Sequence, residues 1–94
     1  MAWRMQPADV ELAVRLYYER IELTNKDIRK LFDIKSSTTV AKLKRIAIEA
    51  MVEKGQTPFS AYGVNTETAY EAWKLDINDL ERRLAKLKKL KFRN

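Results

Sequence analysis

The chain has 94 residues, 46% hydrophobic and 34% charged, and 19 Lys and Arg against 13 Asp and Glu give a formal net charge of +6. It has no cysteine and no histidine, which excludes disulfides, thiolate chemistry, Cys/His zinc sites and every triad that uses imidazole as its base. Two glycines in all are too few for a phosphate-cradling Gly-rich loop, so an enzyme is the weakest starting expectation.

This length fits one small domain, with at most an appended helix. Its core is thin, and oligomerisation would help it. No apolar run approaches the ~20 residues of a membrane span. The start, Met1-Ala2-Trp3-Arg4-Met5, has no apolar core of a signal peptide, so the expectation is a cytoplasmic, membrane-free protein.

The first helix is expected to open at Pro7, which suits a first turn, with Asp9 against the positive end of the helix. Val10, Val14, Tyr17 and Ile21 follow at helical spacing as its predicted buried stripe. A second start is better marked. Thr24 and Asp27 have the spacing of a capping box, and Leu23 and Ile28 sit where a hydrophobic staple clamps the entry. This helix is short, because residues 33–39, Asp-Ile-Lys-Ser-Ser-Thr-Thr, favour a turn and a new N-cap. Ser36 or Ser37 opens a third helix, running to about Lys54 and stopped by Gly55. Both glycines fall between Gly55 and Gly63, so residues 55–64 read as a linker. A fourth, long helix is predicted from Asn65 or Thr66 to the tail, with Glu67 and Glu71 in its opening turns. Strand signals are poor: only Met1, Trp3 and Met5 alternate.

Three helices with a short middle one and a Ser/Thr-rich turn make the layout of the tri-helical helix-turn-helix fold. Residues 23–43, LTNKDIRKLFDIKSSTTVAKL, resemble the helix-turn-helix DNA-binding family, in the manner of small phage, mobile-element or bacterial regulators. The family pattern reads Leu-Thr-x-x-Glu-Leu-Ala-x-x-Leu-Gly-Val-Ser-x-x-Thr-Val. Leu23, Thr24, Asp27, Ile28, Phe32 and Ile34 fall in register. Asp33 stands where the family has its turn glycine, and Arg29 where it has a small residue. Ser36, Thr39 and Val40 match the Ser-x-x-Thr-Val piece with a turn one residue longer.

Helical geometry divides the third helix the same way. Thr39, Val40, Leu43, Ile46, Ala47, Ala50 and Met51 share one sector, which faces the core. Ser37, Thr38, Ala41, Lys42 and Arg45 share the opposite one, joined further along by Ile48 and Glu49. A recognition helix has that composition. Small residues such as Thr38 and Ala41 let it sink into the major groove, and long basic ones reach bases and phosphates. Lys42 and Arg45 are the base-reading candidates, Lys35 and Lys44 the phosphate contacts, and the N–H groups at Ser36 and Ser37 a phosphate seat. Taken alone, these charges also fit a solvated helix face and the serines a plain cap. The capped short helix before them favours DNA. The exposed Ile48 fits a protein contact instead.

From Tyr70 the apolar spacing alternates three and four: Tyr70, Trp73, Ile77, Leu80, Leu84, Leu87, then Lys91. That is about three heptads of coiled-coil seam, against the simpler expectation that the stripe packs on its own domain. A straight helix of this length exceeds what a domain of ~60 residues can cover. An antiparallel homodimer crossing near residues 78–79 pairs Asp76 with Arg83, Lys74 with Glu81 and Glu67 with Lys88, whereas a parallel one sets like charges together.

The expected layout is therefore all-α: a tri-helical helix-turn-helix domain over residues 1–54, a linker over 55–64 and a dimerisation helix over 65–94. Its function would be sequence-specific double-stranded DNA binding as a homodimer, in transcription regulation or as a phage or mobile-element accessory factor. The alternative is an oligomeric assembly module resembling small phage packaging (small terminase-like) subunits. RNA is a weaker third, since no exposed aromatic pair offers base stacking. No catalytic residue, metal, cofactor or small-molecule ligand is assigned. Charge location carries this reading: residues 35–54 hold +3, residues 55–81 hold −4 and residues 82–94 hold +7. Lys89, Lys91 and Arg93 in the tail are left for backbone contacts.

Overall fold

A helix starts where a side chain takes up the first-turn N–H groups, and it ends where the backbone turns left-handed. The computed structural model describes residues 6–57 and 63–91 of the chain. Most boundaries in it follow these two rules. α1 (Val10–Glu19) is capped by Asp9, whose Oδ1 accepts from the N–H of Glu11 at 3.0 Å and of Leu12 at 3.3 Å. It therefore opens three residues after Pro7. Its buried residues are Ala13 and Leu16, with Val10, Val14 and Tyr17 half-buried beside them. Ile21 is not part of the stripe. The helix has ended, Arg20 is extended, and the Ile21 side chain is 72% exposed.

β1 (Glu22–Leu23) pairs antiparallel with β2 (Val64–Asn65), Leu23 opposite Val64. Two residues are too few to show alternation in a sequence, and Val64 falls inside the stretch read as linker. Both Leu23 and Val64 are fully buried. α2 (Asn25–Phe32) carries the capping box in full: Asp27 N–H donates to Thr24 Oγ1 at 3.3 Å, and Thr24 N–H to Asp27 Oδ2 at 3.0 Å. Asp33 closes it in the left-handed region (φ 52°, ψ 52°), and Ile34 N–H reaches back to the Arg29 carbonyl at 3.0 Å. α3 (Ser37–Glu53) is capped by Ser36. It ends with Gly55 at φ 70°, where Gly55 N–H bonds the Val52 carbonyl and Gln56 N–H the Met51 carbonyl. Those two bonds form a Schellman close.

The long fourth helix is two helices, α4 (Thr66–Ala72) and α5 (Ile77–Lys91). Lys74 turns left-handed at φ 63°. Its N–H bonds the Glu71 carbonyl at 3.1 Å, and Leu75 N–H bonds the Tyr70 carbonyl at 2.8 Å, the same Schellman pair. Asp76 then restarts the chain, its Oδ1 accepting from Asn78 N–H at 2.9 Å. Leu75 and Leu80 on either side of this start are both buried, as a staple requires.

The break corrects the dimer seam. Tyr70, Trp73 and Leu80 lie in the chain's own core, and Ile77 packs half-buried against it. Trp73 Nε1–H donates to the Leu43 carbonyl at 2.9 Å and Tyr70 OH to the Ala13 carbonyl at 2.6 Å. These side chains are engaged inside the chain and do not form an outer seam. The charge pairs also differ: Asp79 meets both Arg82 and Arg83 within α5. Leu84 is half-buried and Leu87 exposed, so nothing of the proposed three heptads remains as a continuous outer stripe.

One hydrophobic cluster joins α1, α2 and α3 to Val64, Ala69, Tyr70, Trp73, Leu75 and Leu80. Residues 64–80 thus pack as part of the same body as the first three helices, with α4 along α3 and α5 along α1. The Phe32 ring stands edge-on to Trp73, centroids 5.4 Å apart. Among the described residues the molecule is mostly helical, and no helix is long and apolar enough to cross a membrane.

Candidate nucleic-acid interface

The connection from α2 to α3 is only residues 33–36, so its geometry sets how α3 is presented. Three devices fix it. Asp33 supplies the left-handed turn that the family pattern gives to glycine. Ser36 Oγ accepts from Thr39 N–H at 3.3 Å and opens α3. Arg29 spans the turn as a fork: Nη1–H donates to the Lys35 carbonyl at 2.8 Å and Nη2–H to Ser37 Oγ at 2.9 Å. A planar guanidinium reaches two acceptors in this way where an ammonium reaches one. The residue that departs most from the family pattern is the one that ties α2 to the start of α3. In the sequence it stands only as a departure. Its signal there is a long forked side chain at a position the pattern keeps small.

α3 presents the two faces its spacing predicted. Val40, Leu43, Ala47 and Met51 are buried, with Thr39, Ile46 and Ala50 half-buried on the flanks of that face. Ser36, Ser37, Thr38, Ala41, Lys42 and Arg45 are exposed, and Lys35 is exposed in the turn before them. Lys44 is half-buried at the edge of the core sector, so it stands aside from the outer face. Between Ile34 and Ile48 the chain holds four basic residues and no acidic one. The first turn of α3 has no carboxylate to neutralise its positive end. Its leading N–H groups have no intrahelical acceptor, as at any helix start. Beyond Arg45 the face changes character. Ile48 and Val52 are exposed apolar residues, 42% and 70% accessible, beside Glu49. The basic, small-residue surface is thus confined to the first turns of α3.

The basic tail lies elsewhere in the molecule, on α5. Lys89 is exposed there, whereas Arg93 and the side chain of Lys91 lie outside the described residues, as do Met1, Trp3 and Met5. Among the described residues no cluster of three or more acidic side chains has the arrangement of a metal site. No family model, no curated protein and no solved structure matches the chain.

Proposed function

We propose that the protein binds double-stranded DNA sequence-specifically, with α2 and α3 as the two helices of a helix-turn-helix and the first turns of α3 in the major groove. One observation carries the reading. The Arg29 fork and the left-handed Asp33 hold α3 against α2 with an exposed, acid-free face of Ser37, Thr38, Ala41, Lys42 and Arg45. Small residues at the leading end allow close approach of the helix to the groove floor, and Arg45 and Lys42 then reach base edges. Lys35, beside the helix start, contacts the phosphate backbone.

Selection of bound duplexes from a random pool, followed by titration of the enriched duplex, tests this. Arg45→Ala should weaken the enriched duplex by about 1–3 kcal/mol and relax the preference at one base pair. Lys35→Ala should weaken all duplexes alike and lower the slope of log affinity on log salt by about one phosphate's share, ~0.9. Variants that bind the enriched duplex as the parent does would remove α3 from the interface.

A further inference from the structure

α5 ends in a half-helix that the other described residues do not cover. Residues 85–90 are all exposed, Leu87 at 46% and Leu90 at 64%. Arg82, Arg83, Lys86, Lys88 and Lys89 flank these leucines along the chain, and residues 82–94 contain no Asp or Glu. Two such half-helices cannot zip against each other, because every flanking charge would face its like. An occupant of this stripe must be acidic.

The same chain carries an acidic groove at the opposite end of α5. A cavity of about 450 Å³ lies between α1, α4 and the start of α5. Tyr17, Leu75 and Ile77 give it an apolar wall, and Glu67, Glu71 and Asp76 an acidic rim. Lys74 is the one cation among its described lining residues. A neighbouring cavity of about 370 Å³ shares Tyr17 and Glu67 and extends the groove to the exposed Tyr18 and Ile21, with Arg20 as a second cation at that far end. Burial, with the fields of Glu67, Glu71 and Glu81, pushes the Tyr17 phenol above its ordinary value. Glu71 meets Lys54 at 2.8 Å, while Glu67 and Asp76 form no ion pair among the described residues.

We infer that the basic end of α5 docks in the acidic α1–α4 groove of a second copy of this chain. The groove cannot be filled by its own tail. Ile77 lines it, and Leu84 to Leu90 lie about 10–20 Å further along the same rigid helix at 1.5 Å per residue. Leu87 and Leu90 then meet the Tyr17 and Ile77 wall while Lys86 and Lys88 meet Glu67 and Glu71. Tail and groove are different surfaces, so the contact is head-to-tail. Each added copy leaves one tail and one groove open, which gives chains or a closed ring.

Sedimentation of the full chain without DNA tests this at high micromolar concentration. The expected parent is heavier than the 11.1 kDa monomer at low ionic strength and returns toward it at about 0.5 M salt, where charges are screened beyond a few ångströms. A groove variant, Glu67→Lys with Glu71→Lys, and a tail variant, Lys86→Glu with Lys88→Glu, should each sediment as monomers. Their equimolar mixture should regain mass, because each then faces the opposite charge. A monomeric parent, a groove variant that still assembles, or a mixture of folded variants that stays monomeric would overturn the inference. None of these results bears on DNA binding.

Discussion

Lys74→Gly separates a broken carboxy-terminal segment from a continuous one by the sign of a stability change. Lys74 sits at φ 63° between α4 and α5, with its side chain exposed. The two backbone bonds that close α4 do not involve that side chain. An L-residue held left-handed costs about 1–2 kcal/mol. Glycine escapes that strain but loses about 0.5–1 kcal/mol more through backbone entropy. The balance favours glycine by about 0.5–1 kcal/mol, as at other left-handed helix ends. In an uninterrupted helix the same substitution would cost about 0.5–1 kcal/mol. Thermal and urea unfolding followed by circular dichroism read the difference. At this size the variant should melt about 2–6 °C higher than the parent. Lys74→Ala serves as control: it removes the same side chain but keeps the strain, so its midpoint should stay close to the parent's. A lower midpoint for Lys74→Gly would refute the left-handed turn and restore a single helix.

Three further outcomes are expected. Arg29→Ala removes both bonds across the α2–α3 turn and should cost about 1–2 kcal/mol in urea unfolding, and Arg29→Lys should recover little of that because an ammonium lacks the fork. Leu80→Ala should cost about 2–5 kcal/mol at every protein concentration, whereas Leu87→Ala should cost about 0.5 kcal/mol or less; a Leu80→Ala loss that depended on concentration would point to a seam between chains. Burial pushes the Tyr70 phenol far above its ordinary value near 10. The unfolded chain therefore releases that proton first. The Tyr70 contribution to stability is complete below about pH 10 and falls by roughly 1.4 kcal/mol per pH unit above it. Tyr70→Phe should flatten this alkaline slope while losing the bond to the Ala13 carbonyl; an unchanged slope would contradict it.

The amino-terminal half was legible because its signals are local. Thr24 with Asp27 and Leu23 with Ile28 mark one helix start, Ser36 the next, and Gly55 a stop. The same grammar recurs at Leu75, Asp76, Asp79 and Leu80, a staple around an acidic cap. There the alternating three-and-four spacing, which runs unbroken across the turn, hides it. That spacing persists because Tyr70, Trp73, Ile77 and Leu80 all pack against the core from two different helices. Periodicity reports which residues are inside; it does not report what they are inside of. The β1–β2 ladder left no trace because two residues per strand carry no period. In the candidate interface, the outer face of α3 follows from angular spacing alone, but the fork of Arg29 joins Lys35 and Ser37 across a turn that spacing does not describe.

Whether the outer face of the first α3 turns reads double-stranded DNA is tested most directly by selecting duplexes from a random pool with the purified chain. The prediction is enrichment of a common short motif that the parent prefers over random duplex and that Arg45→Ala binds with about 5-fold or greater weakening. A pool that shows no enrichment, or a motif bound equally by the parent and by the Lys42→Glu, Arg45→Glu double variant, would contradict it.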